Sequence, residues 1–124
     1  MEKEFVPVEL ALRLKVLGFD EPCFGKFYYN QLEIGGNWRN NDFKEDADVF
    51  ISAPTFSQVF RWFREKYELH SCIHSDYTWN ITGGIWDLNE YKGSRYDWDS
   101  EPYSTYEESE LDCLTKLIEI VEKN

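Results

Sequence analysis

Residues 51–69, Ile-Ser-Ala-Pro-Thr-Phe-Ser-Gln-Val-Phe-Arg-Trp-Phe-Arg-Glu-Lys-Tyr-Glu-Leu, constrain the fold more than any other part of the chain. They alone among internal segments combine a helix start, a helical period and a polar face. Thr55 followed by Gln58 is a capping box, in which hydroxyl and amide each satisfy a backbone N–H left without a partner at the helix start, and Pro54 sets the entry. Phe56, Val59, Phe60, Phe63 and Tyr67 then fall on one stripe at a period of 3.6, with Arg61, Arg64, Glu65 and Glu68 on the other side. An aromatic ridge of this kind needs a sheet or other helices to cover it, which puts this helix at the centre of a core.

The rest of the chain reads around that helix. Residues 7–17 predict a first helix: Pro7 opens it, Leu10, Ala11, Leu14 and Leu17 form its apolar side, and Gly18 suits the left-handed residue that closes it. Leu12 and Val16 lie off that side, so the helix is either covered twice or lends its second side to a partner. Residues 23–30, rich in Phe and Tyr, predict a strand, whereas 31–48 read as a strand end near Leu32 to Ile34 followed by a polar loop. Residues 49–52 suit a short strand or the lead-in to the central helix, and 69–73 a further strand. Two β-branched and aromatic runs flank Gly83-Gly84, which predicts a hairpin near 77–91 with the glycines as its turn. Residues 92–103 read as an acidic loop. The last helix begins at Ser104 or Thr105, each with Glu three residues on, and runs along Leu111, Leu114, Leu117, Ile118 and Val121. The expected architecture is a single α+β domain over 1–124: a small antiparallel sheet of three to five strands with about three helices packed mainly on one face. Twenty-two aromatic residues (nine Phe, eight Tyr and five Trp) supply core enough without disulfides or a metal.

Three segments carry a resemblance. Leu14-Lys-Val-Leu-Gly-Phe-Asp-Glu-Pro-Cys23, the central helix with its lead-in from Ser52 to Tyr67, and Thr105-Tyr-Glu-Glu-Ser-Glu-Leu-Asp-Cys-Leu-Thr-Lys-Leu-Ile-Glu-Ile-Val121 resemble a family of small uncharacterised proteins recurring in gut Bacteroides genomes, their phages and mobile elements. The resemblance covers a little under half of the chain. It implies a phage or mobile-element accessory protein of a bacterial cytoplasm, and it brings no family site residues with it.

Charge and cysteine usage narrow the function classes. Of the net charge of −11, residues 1–68 contribute −3 (12 acidic, 9 basic) and residues 69–124 contribute −8 (12 acidic, 4 basic). Such a surface repels a polyanion, so direct binding of DNA or RNA is not expected. Cys23, Cys72 and Cys113 are odd in number and spread one per element, which is neither a disulfide framework nor a zinc pattern. The first residues lack a basic leader and no apolar run spans a bilayer, so cytoplasmic residence with reduced thiols is expected, without cofactor or membrane association.

Two clusters invite metal readings. His70, Cys72 and His74 alternate along a strand, but the outer pair stands about 13 Å apart by strand rise, too far for all three to ligate one ion within its bonding distances. Asp97, Asp99 and Glu101 offer carboxylates without the Gly and Glu that complete an EF-hand register. No GxSxG, P-loop or GxGxxG occurs.

Five tryptophans exceed what a core of this size demands. Trp38 and Trp98 lie in polar, loop-like surroundings and Trp62 at the edge of the central helix stripe. With Asp97, Asp99 and Glu101 they form the expected interaction surface, because Trp is enriched at binding hot spots. The leading expectation is therefore a non-catalytic protein-interaction module with an unidentified protein partner. Two alternatives stand beside it: an acidic nucleic-acid mimic that occupies a DNA-binding protein, and a small enzyme using Cys72 with His70 or His74.

Overall fold

The computed structural model describes residues 2–43, 49–75, 81–87, 95–99 and 105–123. Among these the α+β class holds, with three α-helices and two three-stranded antiparallel sheets in place of the one sheet expected. The chain divides into two compact units, Met1–Phe56 and Ser57–Asn124. No helix among the described residues is long and apolar enough to cross a membrane.

The first unit is built from α1 (Val8–Val16), β1 (Cys23–Tyr28), β2 (Gln31–Trp38) and β3 (Phe50–Ser52), in sheet order β2-β1-β3. Pro7 caps α1 with φ −58° and ψ 152°, and Gly18 closes it at φ 96°. The Gly18 N–H reaches the Lys15 carbonyl and the Phe19 N–H reaches the Leu14 carbonyl, which is the paired closure of a Schellman motif. Leu10, Ala11 and Leu14 are buried as expected, whereas Leu12 and Val16 are exposed, so the second side of α1 stays uncovered. Cys23 and Phe27 from β1 join Ile51, Ala53 and Val6 in the core. The N-terminal run is tied in by a Phe5–Thr55 bridge and by the Val6 N–H on the Pro54 carbonyl.

Two local features of this unit differ from the sequence reading. β2 runs through residues 31–38 instead of ending near Ile34, and the hairpin that joins it to β1 turns on Tyr29-Asn30, both left-handed at φ 48° and 67°. Two consecutive positive φ values make the type I′ turn whose twist matches antiparallel strands; Asn favours it, Tyr does not, and so the sequence hid it. The "polar loop" pair Asn40-Asn41 is a latch. Buried Asn40 donates from Nδ2 to the Phe19 carbonyl at 2.7 Å and accepts the Ser52 N–H on Oδ1 at 3.0 Å. Asn41 donates from both its backbone and its side chain to Asp20.

The second unit carries the rest of α2 (Phe56–Tyr67), β4 (Leu69–Ser75), β5 (Ile81–Asp87), β6 (Arg95–Asp99) and α3 (Tyr106–Lys123), in sheet order β4-β5-β6. The α2 stripe is buried at Phe56, Val59, Phe60 and Phe63, while Arg61, Arg64, Glu65 and Lys66 are exposed. Glu68, at φ 53°, ends the helix in the left-handed region and lets β4 begin at once. α3 starts at the second of the two competing caps: Thr105 Oγ1 accepts the Glu108 N–H and donates to Glu108 Oε1 at 2.8 Å. Cys113, Leu114, Leu117 and Ile118 form its buried side, and Leu111 is exposed.

The expected glycine turn is not a turn. Gly83 and Gly84 lie inside β5, paired with Ile73 and Cys72 of β4 in an unbroken register from Leu69↔Asp87 to Ser75↔Ile81. Residues 76–80 and 88–94, into which the predicted hairpin also extended, lie outside the described residues. Likewise Asp97, Trp98 and Asp99 belong to strand β6, paired to β5 through Gly84↔Asp99, Ile85↔Tyr96 and Trp86↔Arg95. The alternation Arg-Tyr-Asp-Trp-Asp had a strand period that its acid content masked.

Candidate functional site

The first sheet presents a side-chain cluster that follows from strand alternation. Along β1, Cys23, Gly25 and Phe27 are buried while Phe24 and Tyr28 are exposed at 56% and 39%, with Lys26 between them. Directly paired residues of antiparallel strands point to the same side. Glu33 of β2 and Phe50 of β3 therefore share the outer face with Lys26 and Tyr28. The Tyr28 and Phe50 rings stack at 4.8 Å, and Tyr29 meets Tyr28 edge-on at 4.6 Å.

Trp38 completes the cluster through a glycine bulge. Gly35 and Gly36 have φ 117° and 88°, and the ladder slips between Cys23↔Trp38 and Gly25↔Ile34. The indole folds back over the bulge and donates its Nε1–H to the Gly35 carbonyl at 2.9 Å. A Cβ at Gly36 would overlap Trp38 Nε1, so only glycine leaves room for the ring. Lys26 Nζ lies 4.0 Å from the Trp38 ring centre, 5.0 Å from that of Phe50 and 3.8 Å from Glu33 Oε1. The outer face is thus an ordered aromatic surface around one cation.

The residues expected to form an interaction surface separate. Trp38 stands on this outer face. Trp62 does not belong to a surface: it is 6% exposed and packs edge-on against Phe63 and Tyr67, with Lys66 Nζ 5.1 Å from its ring centre. Its position at the edge of the stripe falls inside the core because the buried face of α2 is wider than the Phe stripe alone. Asp97, Trp98 and Asp99 sit on β6 instead of a loop. Glu101 lies outside the described residues. Phe24, Tyr28, Tyr29 and Phe50 were missed as site residues; the signal was the period-two alternation of 23–28, which marks an outer face as clearly as an inner one.

The metal and nucleophile readings gain no support from the geometry. His70 and Cys72 lie on β4, and the side chain of His74 is outside the described set. Among the described residues no group of three His, Cys, Asp or Glu side chains is placed to hold a metal ion. Burial, followed by the neighbouring Asp112 carboxylate, pushes the Cys113 thiol up to about 12, so it holds its proton and is a poor nucleophile at neutral pH. Among the described residues, a cleft in the second unit is lined by Ser57, Phe60, Arg64, Ser71, Ile73 and Tyr106, a set without Cys or His.

No family model, no curated protein and no solved structure matches the chain.

Proposed function

We propose that the chain is a non-catalytic protein-interaction module that docks a basic protein on the outer face of the first sheet. The observation that carries this reading is the exposure of Phe24 and Tyr28 beside a cluster, Trp38, Phe50 and Lys26, whose rings are already fixed in place. Ordered aromatic rings lose little side-chain entropy on binding, and their faces accept Arg and Lys side chains. The net charge of −11 favours a basic partner and opposes a second copy of the same chain. With the family resemblance, the setting is a bacterial cytoplasm and the chain a phage or mobile-element accessory protein.

Affinity capture from bacterial lysate with wild type and the Phe24→Ser/Tyr28→Ser double variant tests the reading. A stoichiometric basic partner, released by salt and absent from the variant eluate, is the expected result. Equal capture by the variant, or no stoichiometric partner with either, overturns it. Direct nucleic-acid binding is not part of this function; an electrophoretic shift at low salt that fades as salt rises would contradict it.

A further inference from the structure

The second unit carries a cleft of about 270 Å³ that the docking reading does not use. Its walls follow from three local periodicities. Ser57, Phe60 and Arg64 are at i, i+3 and i+7 on α2 and so share a side of that helix. Ser71 and Ile73 alternate on β4, and Tyr106 is the first residue of α3. Phe60 and Ile73 give the apolar, smaller part of the lining. Arg64, Ser57, Ser71 and Tyr106 give a guanidinium and three hydroxyls around it.

The charge of this lining is the opposite of the chain's. With 24 acidic against 13 basic residues overall, the described residues that line the cleft include one arginine and no carboxylate. Among the described residues Arg64 forms no ion pair, so its planar fork of donors remains open to an oxyanion. Burial and then the nearby Glu110 raise the Tyr106 pKa, which keeps the phenol protonated as a donor.

We propose that this cleft binds a small organic carboxylate with an aromatic or branched apolar body. The carboxylate meets Arg64 and the hydroxyls, and the body rests on Phe60 and Ile73. A single negative charge fits better than a phosphate dianion, because Glu107, Glu108 and Glu110 open α3 beside Tyr106 and repel each added charge. The volume, slightly under the range of drug-sized pockets, suits a ligand of benzoate size.

Amide and aromatic NMR titration of the full chain with benzoate, acetate and inorganic phosphate is the test. Saturable shifts at Ser57, Phe60, Ser71 and Tyr106 with benzoate in the millimolar range are expected, with acetate and phosphate at least tenfold weaker. Arg64→Ala should abolish the benzoate shifts, Arg64→Lys should leave a weakened response, and Tyr106→Phe should weaken binding several-fold. Arg64 is exposed, so its variants should keep the wild-type melting temperature. Benzoate shifts that do not saturate, that persist in Arg64→Ala, or that phosphate matches would overturn the proposal. The outcome is independent of partner capture on the first sheet.

Discussion

Each sheet contains a glycine pair, and the two pairs do different work. Gly35-Gly36 in β2 is left-handed at both residues and bends the strand so that the Trp38 indole lies over bare backbone. Gly83-Gly84 in β5 stays in register with β4, paired residue for residue with Ile73 and Cys72, while the pairing with β6 slips between Gly84 and Ile85. The same dipeptide bends its own strand in one place and in the other keeps its register with one neighbour while the second neighbour slips beside it. Glycine permits a turn but does not demand one; what decides is whether the flanking residues gain more from a continuous register or from a ring that needs a vacancy.

The contrast extends to how each unit is held. The first unit adds polar latches and a bulge to its apolar core, whereas the second centres on the aromatic and aliphatic sides of α2 and α3. The largest expected effect therefore falls in the second. Phe63→Ala should lower stability by about 3–5 kcal/mol, from lost transfer energy and the cavity left behind. A loss under about 1 kcal/mol in chemical denaturation would mean that the α2 stripe is not a core.

In the first unit the expected weak point is a hydrogen-bonding side chain. Asn40→Ala leaves the Phe19 carbonyl and the Ser52 N–H without their partner, and should cost about 2–3 kcal/mol. Asn40→Asp should not recover this at neutral pH, since the carboxylate oxygen that replaces Nδ2 faces the Phe19 carbonyl, acceptor against acceptor, in a buried place. Equal stability of all three proteins in denaturant would mean that Asn40 does not latch the unit.

The bulge separates strain from overlap. At Gly35 nothing lies within 4 Å of an added Cβ, so Gly35→Ala carries only the left-handed penalty of about 1–2 kcal/mol. Gly36→Ala adds the clash with Trp38 and should cost more, together with a red shift of tryptophan emission as the ring leaves the sheet. Identical losses and an unchanged spectrum would mean that Trp38 does not lie on the bulge. A smaller effect of the other sign is expected at the hairpin: Tyr29→Asn places a residue tolerant of φ 48° in the turn and should stabilise by roughly 0.5–1 kcal/mol in thermal melts.

Much of the helical architecture was legible, because helix signals are local. Gly18 closing α1, the stripe from Phe56 to Phe63 and the Thr105 cap can each be read within a few residues of sequence. Strand partners are not local. Ile73 meets Gly83 and Cys72 meets Gly84 only because a register spanning β4 to β5 outweighs the turn preference of the dipeptide. The same holds for the candidate surface. Trp38 was legible as a tryptophan without an evident core partner, but its neighbours Lys26 and Phe50 arrive by strand pairing. Trp62 misled for a complementary reason: a helix covered over a wide arc buries a residue that a narrow stripe leaves at the edge.

The proposed protein docking belongs to the first sheet's outer face and not to the second unit. Its most direct test is quantitative capture of the partner by wild type, Phe24→Ser/Tyr28→Ser and Arg64→Ala side by side, each checked for wild-type circular dichroism. The face variant should lose the partner by at least tenfold while Arg64→Ala retains it. Retention by the face variant with loss in Arg64→Ala would contradict it.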